Sequence, residues 1–195
     1  PIAKAASILT CAPASSAVVG QKPAWLVIAD TDQAGVEDVK EQFDQILLDM
    51  KIAHRDVDLA LDGADAIPSL TAYDRVILLM PSLDGLGTHL SDIMSWVSVG
   101  GSLMLGMTPD NSNCLQAIAS KLGIESAGYD YAKAESIVPS EDFMLGGGER
   151  YEFSDPFDSS LSVSLRETAH VWAKTGDAGT PLIWSNDCGS GHTVV

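Results

Sequence analysis

The fold of this chain follows from the segment YDRVILLMPSLDGLGTHLSDIMSWVSVGGSLMLGMTPDNSNCLQAIASKLG, residues Tyr73–Gly123. Two apolar runs, VILLM and SLMLGM, are each followed by a segment in which apolar residues recur every three or four positions. Such runs are typical of strands buried on both faces, and the segments after them are typical of helices. Because consecutive strand-helix units cross over with one hand, the segment predicts a parallel sheet covered on both faces.

Two further strand-helix units precede this segment. Ala24–Asp30 is an apolar run, and Ile52–Leu59 is a more polar strand that we expect nearer an edge of the sheet. The helix between them, residues 32–50, presents one apolar face, formed by Val36, Val39, Phe43, Ile46, Leu47 and Met50. In the later helix, Thr88–Val99, the residues expected to face the core are Leu90, Ile93, Met94 and Val97.

We expect the runs Ala24–Ala29, Tyr73–Met80 and Ser102–Met107 to be adjacent parallel strands of one sheet. After Gly123 the pattern changes, because short β-like segments replace the amphipathic helices. These predicted strands are Ala134–Val138, Glu149–Phe153, Leu161–Leu165, Ala169–Thr175, Pro181–Ser185 and His192–Val195. The last three are expected to form an antiparallel meander.

The chain is therefore predicted to be an α/β protein, a three-layer sandwich with a mainly parallel central sheet and a β-rich C-terminal extension. Residues 1–22 are small, rich in serine and alanine and nearly uncharged, so we expect a disordered leader left after a removed signal or anchor. Residues 23–195 are expected to form one domain, with the parallel core at 23–123 and the extension at 124–195. The chain stops inside an apolar run, which indicates a piece of a longer polypeptide.

The charge and cysteine content exclude several classes of partner and site. A net charge of -16 at pH 7 would be repelled by nucleic acid and by anionic membrane surfaces. Cys11, Cys114 and Cys188 have no CxxC spacing and no neighbouring histidine cluster, so they signal neither a zinc site nor a disulfide framework. No run reaches the roughly 18 apolar residues of a membrane span. The leader alone predicts a secreted or cell-envelope protein.

In parallel sheets, ligands bind beyond the carboxyl ends of the strands, which here means residues 81–87 and 107–113. The candidate ligand contacts are Ser82, Asp84, Met107, Thr108 and Asp110 in these two loops, with Asp30 and Asp32 at the end of the first predicted strand. The four carboxylates could bind a divalent cation, and turn or helix-capping roles explain them just as well. The two hydroxyls would need a base to act as nucleophiles, and none is identifiable nearby in sequence. We therefore assign no catalytic residue, no metal ligand and no cofactor.

Single histidines and tryptophans offer weaker signals. His54, in a predicted strand, and His89, at a helix start, are expected to be surface or hydrogen-bonded polar positions rather than ligands. Trp172 and Trp184 fall on neighbouring predicted strands. Core packing is the favoured role for both, and exposure of one face of that hairpin would let them stack on sugar rings.

Two parts of the chain, YDRVILLMPS with VGGSLMLGMT and the ending GTPLIWSNDCGSGHTVV, resemble the class I glutamine amidotransferase-like superfamily. In that family a GGxLLGxC strand turns sharply into a helix and presents a cysteine nucleophile. A late hairpin then reads Pro-Leu, Gly-x-Gly and a final apolar strand, and it matches Pro181, Leu182, Gly189, Gly191 and Val194 here. The resemblance implies a flavodoxin-like or glutamine-amidotransferase-like topology.

The chain departs from the enzyme pattern at the elbow between strand and helix. Met107 stands about where the cysteine would be, and a thioether cannot attack as a thiolate does. Pro109 lacks the amide hydrogen that an oxyanion hole uses, and Cys114 is expected about two turns into the following helix. The family's late His-x-Glu pair has no counterpart at His170 or His192.

More narrowly, the chain looks like the N-terminal region of secreted bacterial proteins in which a degenerate domain of this type precedes a polysaccharide-deacetylase-like barrel. The resemblance implies a non-catalytic accessory or interaction domain of a larger exported bacterial protein linked to polysaccharide processing. Its expected partners are the downstream catalytic domain and carbohydrate, without nucleic acid or membrane insertion. Two alternatives stay open: a hydrolase with an atypical nucleophile at the strand-end loops, and a small-ligand or metal-binding sensor.

Overall fold

The computed structural model of the protein describes residues 24–130, 134–143, 147–157 and 160–195. The predicted leader, residues 1–22, lies outside the described residues. The helices are α1 (Val36–Asp49), α2 (Leu59–Asp62), α3 (His89–Ser98) and α4 (Asn113–Ile118). The strands are β1 (Trp25–Ala29), β2 (His54–Asp58), β3 (Arg75–Leu79), β4 (Ser102–Leu105), β5 (Ile124–Asp130), β6 (Ala134–Pro139), β7 (Tyr151–Phe157), β8 (Ser160–Leu165), β9 (Ala169–Thr175), β10 (Pro181–Cys188) and β11 (Gly191–Val194).

One large sheet has the strand order β2-β1-β3-β4-β11-β10-β9-β6-β7. Its first five strands are parallel, and β1, β3 and β4 are adjacent, which confirms the predicted arrangement of the three apolar runs. The polar strand β2 lies at the edge, as predicted. The prediction of a mainly parallel sheet holds only for this half, because β10, β9, β6 and β7 are joined antiparallel. The sequence also does not predict β5, which forms a separate antiparallel pair with β8.

The last strand joins the two halves of the sheet. β11 is antiparallel to β10, as the predicted meander requires, and it also pairs in parallel with β4, with Thr193 opposite Leu103. A side chain at Gly191 would collide with the backbones of Val97 and Gly101. The missing Cβ therefore lets β11 enter the sheet beside the end of α3.

Helices cover both faces of the parallel half. α3 and α4 share one apolar cluster, and the four residues of α3 predicted to face the core are all buried. α1 covers the opposite face through Val36 and Leu47. The predicted core role of Ile46 and Met50 is wrong, because they are 51% and 63% exposed. Ile46 is turned about 100° from Leu47 around the helix axis, and Met50 is the C-terminal cap.

The start and end of α4 are set by residues on either side of it. The N-cap is Ser112, whose Oγ accepts a hydrogen bond from the Leu115 N, and not Asp110 or Asn111 as predicted. The predicted end at Gly123 is confirmed, since a 3₁₀ turn extends α4 and the glycine adopts a φ of 75°. Within the described residues, no helix combines the length and the apolar character that a membrane crossing requires.

Candidate functional site

The loops after β1, β3 and β4 are fixed to one another at the carboxyl edge of the parallel strands. Gln33 Nε2 donates to Asp30 Oδ2 at 2.8 Å and to the Ser82 carbonyl O at 3.0 Å. Gln33 Oε1 accepts from the Ser82 N at 2.7 Å. The Asp110 N donates to the Pro81 O at 2.8 Å, which ties the loop after β4 to the loop after β3. These hydrogen bonds hold three chain segments together where a ligand would otherwise enter.

The candidate carboxylates at this edge differ in their surroundings. Asp30 is partly buried and lies against Gly85, where an added Cβ would approach its Oδ2 to 3.3 Å. Asp32, Asp84 and Asp110 are exposed. Within the described ranges, these four residues do not bring three carboxylate oxygens within 4.8 Å of one another. Their geometry is that of turn and surface residues more than that of a shared cation site.

Sequence reasoning missed Asp58, a carboxylate at the same edge. It ends β2, is 9% exposed, and accepts hydrogen bonds from the Thr31 N at 3.2 Å, from Thr31 Oγ1 at 2.6 Å and from the Ala60 N at 3.1 Å. It therefore joins the loop after β1 to the start of α2. Its position at the carboxyl end of a strand is close to the signal that selected Asp30, and that signal applied to β2 would have found it.

The elbow after β4 does not activate a nucleophile in the part of the chain that is described. Met107 packs into the apolar cluster between the sheet and α1. The prediction that Cys114 lies two turns into the next helix is wrong, because α4 begins at Asn113 and the cysteine is in its first turn. A hydrogen bond to the Asp84 carboxylate raises the pKa of the Cys114 thiol, and desolvation adds to the shift. A catalytic cysteine needs the opposite shift, toward the thiolate.

The two candidate hydroxyls belong to Ser82, which lies in a turn, and to Thr108, which lies on the surface. Ser82 Oγ accepts a hydrogen bond from the Asp84 N at 3.5 Å within its own turn, a common role for serine in turns. Thr108 is exposed. Among the described residues, neither hydroxyl hydrogen-bonds to a histidine, which is the usual activating base. The structure therefore gives these hydroxyls turn and surface positions.

A second surface lies on the antiparallel half of the sheet, and we call it the aromatic patch: Phe143, His170 and Trp172. The Trp172 ring centroid is 4.1 Å from that of His170 and 5.8 Å from that of Phe143. His170 and Phe143 are exposed and Trp172 is partly exposed, with its Nε1 donating to Ser185 Oγ at 2.8 Å. Trp184 is a core residue with 3% exposure, so it cannot stack on sugar rings.

Solved structures with the same fold include ThuA-like proteins. A ThuA-like protein from Bacteroides uniformis matches with a TM-score of 0.58 and 11% identity, over 87% of this chain and 82% of that protein. A cytoplasmic protein from Salmonella typhimurium matches with a TM-score of 0.62 and 14% identity, over 87% and 85% of the two chains. An exo-β-1,4-mannosidase from an Opitutaceae bacterium matches with a TM-score of 0.61 and 20% identity, over 88% of this chain. This chain spans 30% of that mannosidase.

At these identities the structural matches show a shared fold, a mixed α/β arrangement around a large sheet. Among proteins with curated functions, none matches the chain. One family model matches residues 14–194, which include both the parallel and the antiparallel half of the sheet. The chain therefore belongs to the DUF2194 family, described as uncharacterised proteins conserved in bacteria.

Proposed function

We propose that this protein is a non-catalytic accessory domain of a larger exported bacterial protein that acts on polysaccharide. The observation that carries the proposal is the elbow after β4, where Met107 packs into the apolar cluster beside α1. By the resemblance to glutamine amidotransferases, Met107 stands about where their cysteine nucleophile would be. The nearby thiol of Cys114 has a raised pKa because it hydrogen-bonds to Asp84. Since acyl transfer needs a thiolate or an activated hydroxyl, these loops favour a structural or binding role over turnover.

Carbohydrate is the partner that the aromatic patch favours. Sugar rings stack on exposed aromatic side chains, and polar groups beside the rings bind the hydroxyls. Asp142 Oδ2 lies 3.7 Å from His170 Nε2, so a carboxylate accompanies the aromatic surface. The fold likeness to part of a mannosidase is compatible with this role. The exported location and a polysaccharide-deacetylase-like domain in the same polypeptide stay predictions from the sequence.

The carbohydrate part of the proposal is tested by native electrophoresis in gels that contain β-mannan, xylan or another soluble polysaccharide. We expect at least one of them to retard the protein, and Trp172→Ala to remove that retardation. Trp25→Ala is the matched control, because Trp25 is also a partly buried tryptophan on a strand but lies at the other half of the sheet. Retardation that is equal in wild type and Trp172→Ala would contradict the role of the aromatic patch.

The non-catalytic part is tested separately with the isolated chain. We expect no glutaminase or esterase turnover above background, because the described hydroxyls and Cys114 have no activating base. Turnover that disappears in Ser82→Ala, Thr108→Ala or Cys114→Ala would promote the hydrolase alternative.

A further inference from the structure

A group of ionisable side chains lies where α1 packs beside the edge strand β2, apart from the strand-end loops. Asp44 belongs to α1, and His54 and Asp56 are two residues apart on β2, so they project from the same face. His54 Nε2 is 4.0 Å from Asp44 Oδ1 and 3.7 Å from Asp56 Oδ2. Among the described residues, this is the one group of three such side chains whose ligand atoms all lie within 4.8 Å of one another.

A backbone hydrogen bond orients the imidazole ring of this group. His54 Nδ1 lies 3.0 Å from the Ile52 carbonyl O. A carbonyl oxygen only accepts hydrogen bonds, so Nδ1 carries a proton and the lone pair of the neutral ring is on Nε2. That nitrogen faces the two carboxylates. Histidines that bind metal ions are commonly held by the same kind of hydrogen bond from their other ring nitrogen.

Lys40 neutralises part of the negative charge through carboxylate oxygens other than those that face His54. Its Nζ is 2.5 Å from Asp44 Oδ2 and 3.9 Å from Asp56 Oδ1, whereas His54 faces the other oxygen of each residue. Within the described part of the chain, Asp44 Oδ1 is buried without a hydrogen-bond partner. A buried polar atom of this kind costs free energy. Two carboxylates against one lysine also leave a net negative charge, and both features favour a cation at this place.

We propose that Asp44, His54 and Asp56 bind a divalent first-row transition metal, preferably Zn²⁺, through Asp44 Oδ1, His54 Nε2 and Asp56 Oδ2. One imidazole nitrogen with two carboxylates suits Zn²⁺, whereas Ca²⁺ and Mg²⁺ prefer sites made of oxygen atoms alone. Ligand atoms in a tetrahedral zinc site are about 3.4 Å apart. The two separations from His54 Nε2, 3.7 and 4.0 Å, therefore need to shorten only slightly on binding. The ion would fasten α1 to the edge strand and leave a fourth position for water.

The test uses the full chain, stripped of metal with a chelator and then titrated with Zn²⁺ or Co²⁺. At a metal concentration about 100-fold above the dissociation constant, we expect the melting temperature to rise by roughly 5–10 °C. Co²⁺ bound at the site should also give visible absorption typical of nitrogen and oxygen ligands. Nonspecific binding that shifts the melting temperature would not give this absorption. Ca²⁺ and Mg²⁺ at the same concentration should change neither measurement.

Four variants locate the site. His54→Gln and Asp56→Asn should each weaken Zn²⁺ binding by more than about tenfold, and Asp56→Asn serves as the second test if His54→Gln folds poorly. His192→Gln is the matched control, because His192 is an exposed strand histidine elsewhere and should leave binding unchanged. Lys40→Met should tighten binding by roughly tenfold, since it removes a nearby positive charge. Absence of both signals in wild type, binding that persists in His54→Gln and Asp56→Asn, or unchanged affinity in Lys40→Met would overturn the proposal.

Discussion

Replacing Gln33 with alanine should loosen the strand-end loops while the sheet beneath them stays folded. The Gln33 side chain makes three hydrogen bonds, to Asp30 Oδ2, to the Ser82 carbonyl O and from the Ser82 N. Ser82 is 49 residues away along the chain, so no local turn can replace these contacts. In Gln33→Ala both backbone groups of Ser82 and the Asp30 carboxylate lose this partner.

The expected loss in the free energy of unfolding follows from the number of hydrogen bonds and from their exposure to water. A typical hydrogen bond contributes about 0.5–1.5 kcal/mol net, so three give about 1.5–4.5 kcal/mol. The three bonds are only partly buried, and water replaces part of each. We therefore expect a loss of about 1.5–3 kcal/mol in the free energy of unfolding. For a chain of this size, that corresponds to a fall of about 3–12 °C in the melting temperature.

The assay is urea unfolding followed by tryptophan fluorescence, with Gln45→Ala as the matched control. Gln45 Nε2 also donates to a carboxylate, Asp49 Oδ1 at 2.8 Å, but both residues are exposed on α1. That variant should lose less than about 0.5 kcal/mol. Equal losses in Gln33→Ala and Gln45→Ala would refute the reasoning, because they would show that joining the two loops adds no stability.

Gln33→Glu adds a pH-dependent version of the same test. The new carboxylate would face Asp30 and the Ser82 carbonyl O without an N–H to donate, so folding should raise its pKa above the ordinary value of about 4.3. Destabilisation is then complete above the folded-state pKa and disappears as the pH falls below the unfolded-state pKa. A loss of stability that does not change between the pH of the unfolded-state pKa and that of the folded-state pKa would contradict the assigned hydrogen bonds.

Two further predictions concern the same loops. Asp84→Asn should lower the raised pKa of Cys114, so at pH 8 the thiol should react faster with a disulfide reagent. Cys114→Ser gives the background of the other cysteines, and an unchanged rate would show that Asp84 does not control this thiol. Millimolar Ca²⁺ or Mg²⁺ should leave the melting temperature nearly unchanged, since the strand-end carboxylates of the described chain do not gather around one point. A rise of several degrees that is lost in Asp30→Asn would show that they bind a cation after all.

The apolar runs and their spacing are sufficient to predict the parallel half of the fold. Runs such as VILLM can be satisfied only by burial on both faces, and the inward positions of α3 follow from a period of 3.6 residues. The same periodicity misplaced Ile46 and Met50, because it does not show how wide the buried face of α1 is or that the helix ends at Met50. Local reasoning also predicts Asp30 as a strand-end residue, because it comes directly after the apolar run of β1.

The remaining features depend on which distant segments become neighbours. β11 pairs in parallel with β4 because Gly191 allows close approach to α3, and no local pattern encodes that pairing. Gln33 meets Ser82, and Cys114 meets Asp84, only after the parallel strands have brought their loops to one edge. His54 is an ordinary strand histidine in the sequence and becomes a candidate ligand once α1 packs beside β2. Contacts between residues far apart in the chain depend on the packing of whole elements, whereas local periodicity records only which face of each element is buried.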